Sequence, residues 1–138
     1  MTTTFHNPPT APPPAASYSN VAEIDLGTRR LIILSGQAAL DHDGTVVGPG
    51  DMAAQTAFIF DAIVALLADR GAELADVVNI RTYLTDMDRL AEYGAVRVAR
   101  LGAARPTSTT VEVSRLFRTG LLLEVDITAV VSRPPPPA

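Results

Sequence analysis

Cysteine is absent from this chain of 138 residues. That excludes disulfides, thiolate metal sites and a cysteine nucleophile, and it leaves no sign of an oxidising compartment. Lysine and tryptophan are absent too, and aromatic residues make up only 5%. Hydrophobic residues still reach 47%, so a core can form, but from Ala, Val, Leu and Ile. The length suits one domain. All 11 Lys or Arg positions are arginine, against 15 acidic residues, for a formal net charge of −4. The arginines are scattered, without the basic patch or stripe of a nucleic-acid binder. No apolar stretch approaches the roughly 20 residues that a membrane helix needs. The N-terminus has neither the basic start nor the apolar stretch of a secretory signal. The expectation is a cytoplasmic protein with no nucleic-acid or membrane partner.

Proline is concentrated at the two ends. Pro8, Pro9, Pro12, Pro13 and Pro14 fall within residues 1–16, and Pro134 to Pro137 lie in a tail over 133–138. Proline fixes φ and cannot donate to a ladder, so both ends are expected to be extended and mobile. Residues 17–132 form the expected domain. Val21 to Leu26 alternates as a strand, and Arg30 to Gln37 reads as a second strand covered on both faces. Asp51 opens a helix of about 20 residues, roughly 30 Å long. Its stripe is Phe58, Ile59, Ala62, Ile63, Leu66 and Leu67, and Gly71 stops it. Val77 to Leu84 is a strand. Asp86 or Asp88 caps a second helix reaching Leu101. Thr107 to Val113 and Leu121 to Val131 are strands, the last with every odd position apolar. The order is β-β-α-β-α-β-β, an α+β domain with both helices on one face of a mixed sheet. The other face stays bare although the last strand is partly apolar there. Such a surface calls for a partner, and the expected one is further copies of the same chain.

Several segments then match a known pattern in order. Leu34-Ser35-Gly36-Gln37 resembles an "SGQ" after the second strand, and Asp51 to Thr56 resembles a "D-x-x-x-Q-T" helix start. Asp76-Val77-Val78 with Leu84-Thr85-Asp86-Met87 resembles "D-V-V-K…V-x-L-T-D-M". Pro106 to Val113 resembles "P-A-R-S-x-V-E-V", and Leu123-Glu124-Val125-Asp126 resembles "V-E-I-E". Together they resemble the reactive-intermediate-deaminase (Rid, or YjgF) family over roughly residues 18 to 131. The resemblance implies a chorismate-mutase-like fold and a homotrimer with small-molecule clefts between subunits. It also implies hydrolysis of reactive enamines and imines, such as 2-aminoacrylate, to keto acids and ammonia, with no cofactor and no metal.

The same resemblance names the site. Glu124 aligns with the glutamate that orients the attacking water. A carboxylate among Leu122, Leu123 and Val125 is also expected to be partly desolvated and raised in pKa. Tyr18 aligns with a cleft tyrosine, and Ser35 and Gly36 belong to the ligand-approaching turn. Ser108 and Thr110 share one strand face and are expected at the cleft. In deaminating members the position of Ser108 holds an arginine that grips the substrate carboxylate. A serine hydroxyl offers one neutral donor in place of a charged fork. The expectation is therefore an altered substrate range, with a non-deaminating metabolite binder or a member serving a specialised pathway as the alternative. Arg105 is a candidate to replace the missing cation. Arg81 is a second candidate, with an inter-strand ion pair as its competing reading, and Arg97 reads as an exposed helix charge. The Asp41-His42-Asp43 triplet reads as a solvated turn, because adjacent turn residues rarely converge on one metal ion.

Overall fold

Strict alternation along the last strand organises the molecule. A computed structural model describes residues 1–133. In it β7 (Leu123–Ser132) turns Leu123, Val125, Ile127 and Ala129 into the core, each at most 1% exposed. Glu124, Asp126 and Thr128 take the opposite face. On one side β7 pairs antiparallel with β3 (Arg29–Leu34), which leads to β2 (Val21–Asp25) and β1 (Thr3–His6). On the other it pairs antiparallel with β5 (Val77–Leu84), and β5 pairs parallel with the edge strand β6 (Thr107–Glu112). The two-residue strand β4 (Gln37–Ala38) also pairs with β7. The sheet order β1-β2-β3-β7-β5-β6 is mixed, as expected. Only the β5–helix–β6 segment makes neighbours of its strands, because β7 inserts between β3 and β5.

Helix α1 spans Met52–Asp69. Asp51 caps it, its Oδ1 accepting from the Ala54 N–H at 2.9 Å. At the far end Gly71 takes φ +70°, where glycine alone is unstrained. Its N–H donates to Ala68 O at 3.0 Å and that of Ala72 to Leu67 O at 2.9 Å, closing the last turn. Ile59, Phe60, Ile63, Leu66 and Leu67 are fully buried, and Phe60 rather than Phe58 fills the core. Burying each such side chain contributes about 1.5–3 kcal/mol. By length and composition α1 could cross a membrane, yet its apolar stripe is spent on the sheet. Helix α2 spans Leu90–Leu101 and follows a one-turn 3-10 segment, Met87–Arg89, capped by Asp86. Buried Gln55 ties α1 to the loop before β7: its amide nitrogen donates to Gly120 O at 2.9 Å, and its oxygen accepts from the Leu122 N–H at 2.9 Å. That use of Leu122 is why β7 starts at Leu123, two residues later than alternation alone suggests.

Two expectations are corrected. Residues 1–16 are not simply extended and mobile: Thr3–His6 form the edge strand β1 on β2. The prolines start only at Pro8, and Thr3-Thr4-Phe5 is good strand sequence. Segment 8–16 is irregular but fastened, with Ala11 only 4% exposed. Second, β3 is not covered on both faces within one chain. Ile32 and Leu34 are buried, but Ile33 is 39% exposed beside Ala22 and Thr128. The proline tail expected over 133–138 lies outside the described residues except for Arg133, which pairs with Asp25.

A charge cluster ties β1 to the rest. Glu23 is 14% exposed at its side chain and meets Arg30 at 2.7 Å and Arg70 at 3.3 Å, with His6 at 3.8 Å. Burial pushes the Glu23 carboxyl up, but the hydrogen bonds and charges of Arg30 and Arg70 outweigh it and leave the pKa lowered. Glu23→Gln should cost about 1–3 kcal/mol at neutral pH. A lowered folded pKa gives stability that is present above the unfolded value and lost as pH falls through the folded one. Urea unfolding should therefore show the two proteins converging below about pH 4.5. A gap unchanged down to strongly acid pH would refute the assignment.

Candidate active site

The sheet face opposite the helices is bare, and one end of it deepens into a cavity of about 670 Å³. Its floor is Glu124, placed by the pairing of β7 with Ala38 of β4. Gly36, Ser35 and Tyr18 line it, with prolines 12 and 13, the turn at 41–44 and the loop at Phe117 and Arg118. The walls are held by named bonds. Asn20, 5% exposed, donates its backbone N–H to Asn7 Oδ1 at 2.9 Å and its side-chain amide N–H to Pro12 O at 3.1 Å. His42 Nε2 bonds Pro9 O at 3.0 Å, which requires the proton on Nε2. The Ser35 hydroxyl donates to Ser19 O at 2.5 Å, and Arg118 donates to Gly44 O.

Glu124 is half-buried, and no protein group among the described residues hydrogen-bonds its carboxyl. Burial pushes its pKa up, and the charge of Asp126 on the same face pushes further. Asp126 is engaged elsewhere: Arg81 Nε donates to it at 2.8 Å and the Tyr83 hydroxyl at 3.3 Å. Two carboxylates two residues apart are thus given different work by their surroundings. Gly36 sits directly on Glu124, since a Cβ built there would lie 2.2 Å from Glu124 Oε1. A free, desolvated carboxylate under a cavity mouth with Tyr18 and Phe117 in its walls is suited to hold or deprotonate a water beside a small organic ligand.

The remaining candidates lie elsewhere in the chain. Ser108 and Thr110 register with Ile80 and Thr82 of β5 and so share the helix-side face, opposite to Glu124. Within one copy they do not enter the Glu124 cavity. Arg105 is not turned inward: its guanidinium caps the end of α2, donating to Gly102 O at 2.8 Å and Ala104 O at 2.9 Å. Arg81 makes the inter-strand ion pair with Asp126. Arg97 is not simply an exposed helix charge; it is half-buried and donates to Ser108 Oγ at 2.9 Å. Phe117, Arg118 and the proline segment as a wall escaped the sequence reading, which had no local pattern to mark them. Among the described residues no three His, Asp or Glu side chains group to hold a metal ion. Asp41 serves the turn at His42, accepting from the N–H groups of Asp43 and Thr45.

The profile of the family described as endoribonuclease L-PSP matches residues 8–131. The chain belongs to that family, the YjgF/Rid group. A RutC family protein of Pyrococcus abyssi is 32% identical over 119 residues, 86% of this chain and 90% of that protein. The 3-aminoacrylate deaminase RutC of Acinetobacter baylyi is 30% identical over 118 residues, again 86% and 90%. A crystal structure of a YjgF-family member from Mycobacterium tuberculosis superposes with a TM-score of 0.72 at 36% identity, covering 85% of this chain and 89% of that one. The two helices on a mixed sheet are therefore the YjgF fold.

Proposed function

We propose that this YjgF-family protein is a cofactor-independent deaminase of small reactive imines or enamines, working as a homotrimer. The unbonded, half-buried Glu124 under Gly36 carries the reading. The similar RutC of Acinetobacter baylyi is a 3-aminoacrylate deaminase, which supports it. Glu124 takes a proton from water as the water oxygen bonds to the C=N carbon. The C=N electron pair moves to nitrogen, which gains a proton. A further proton transfer makes the amine a leaving group, the C–N bond breaks, and a carbonyl and ammonia result. In an enamine, protonation at carbon comes first. The bare sheet face, with Ile33 39% and Phe5 65% exposed, is the surface that copies would bury against one another. In such an assembly the β6 edge of one copy can complete the Glu124 cavity of the next, which reconciles the two faces. The net charge of −4 and the absence of lysine argue against RNA as the substrate.

Ammonia release from 2-iminopropionate generated in situ, read above the uncatalysed rate, tests the proposal. Turnover that disappears in Glu124→Ala supports it. Ser108 favours a second reading, a metabolite binder that does not deaminate. Absence of turnover with rescue by Ser108→Arg would mean an intact scaffold with a different substrate, and no rescue would favour the binder.

A further inference from the structure

Among the described residues, every arginine except Arg97 either pairs with a carboxylate or is exposed. Arg97 is half-buried and bonded only to hydroxyls. It donates through Nη1 to Ser108 Oγ at 2.9 Å and to the Tyr93 hydroxyl at 3.3 Å. The Tyr93 hydroxyl lies 2.5 Å from Thr82 Oγ1, and both residues are buried. A guanidinium can only donate, so the Tyr93 oxygen accepts from Arg97, while either hydroxyl can donate in the bond between Tyr93 and Thr82. The buried pair thereby fixes the cation from behind. Ser108 also accepts from Arg97, which leaves its O–H free for an outside acceptor. Nε and Nη2 of Arg97 have no protein acceptor among the described residues. Gly94, three residues earlier on α2, has no atom within 4 Å of where a Cβ would sit, so the helix surface is open at that position. Partial burial of an unpaired cation is unfavourable until an anion joins it.

We propose that Arg97, positioned by Tyr93 and Ser108, is the anchor for the carboxylate of a small 2-oxo or 2-imino acid. Two N–H groups of the fork meet the two carboxylate oxygens, and the Ser108 O–H supplies a third bond. The cation thus comes from a helix and stands over the serine of the edge strand. The proposal deepens the deaminase reading and rests on it for the neighbouring copy's Glu124, but carboxylate binding can be measured without turnover. Calorimetric titration with 2-oxobutyrate should show binding by the wild type. Affinity should fall tenfold or more in Arg97→Met and fall less in Arg97→Lys. The neutral 2-oxobutyramide should bind weakly and alike to wild type and Arg97→Met. If Arg97→Met fails to fold, Arg97→Gln carries the same test by removing the charge while keeping a polar side chain, with the same tenfold loss expected. Equal 2-oxobutyrate affinity in wild type and these variants, or no binding by the wild type, overturns the proposal even if imines are deaminated. Arg97-dependent binding without ammonia release sustains it and sinks the deaminase reading instead.

Discussion

Replacing Glu124 by Gln should lower kcat/KM for imine hydrolysis by about 10²–10⁴-fold while leaving the fold at least as stable as before. The amide keeps the volume and can still touch a water, but it cannot take that water's proton. Burial and then the charge of Asp126 hold the Glu124 pKa above its ordinary value. A carboxylate acting as base must be ionised, so wild-type kcat/KM should fall on the acid side at a pH above the usual glutamate range. That limb should vanish in Glu124→Gln. Stability runs the other way. A raised folded pKa favours the protonated form, so the contribution of Glu124 is complete below its unfolded pKa and is lost as pH rises through the folded one. At neutral pH the ionised carboxylate is a liability to folding, which the neutral amide removes. Initial rates of ammonia release and urea unfolding across pH test both halves together. A variant that keeps its rate within a few-fold of wild type would exclude Glu124 as the proton acceptor.

Much of this site was legible because alternation and short motifs are local. The odd positions of β7 announced the core, and therefore announced that Glu124 and Asp126 face away from it. Asp51 and Gly71 marked the ends of α1 through cap chemistry, where the physical requirement is confined to one or two residues. The N-terminal strand was masked by the prolines that follow it, and its pairing depends on β2, with partners running from His6↔Val21 to Thr3↔Ile24. The position of Ser108 was harder still. Which face it takes is fixed by its register against Ile80, and that register depends on the whole length of α2 and its connections. The same register brings Ser108 under Arg97, eleven residues earlier, so no local reading could pair them. Arg105 looked equally eligible in sequence, yet the carbonyls exposed at the end of α2 claimed it.

Gly36→Ala should abolish most of the activity that Glu124→Gln abolishes, although it adds only a methyl group. The backbone at Gly36 is not in the left-handed region that strains other residues, so the effect is purely steric. The added Cβ would lie 2.2 Å from Glu124 Oε1 and 2.8 Å from its carboxyl carbon, far inside contact distance. Either the carboxyl swings out of the cavity floor or the Ser35–Gln37 link moves away from β7. Both displace the base from a water held over it, and positional errors of this order are costly in a site that works by alignment. Overpacking of this kind costs about 1–3 kcal/mol, and here the clash has one identified partner. A double-mutant cycle isolates it: Gly36→Ala should destabilise the wild type but be nearly neutral in a Glu124→Ala background, because the atoms it strikes are gone. If the destabilisation persists undiminished in that background, the methyl is meeting something other than Glu124, and the carboxyl does not occupy the cavity floor under Gly36.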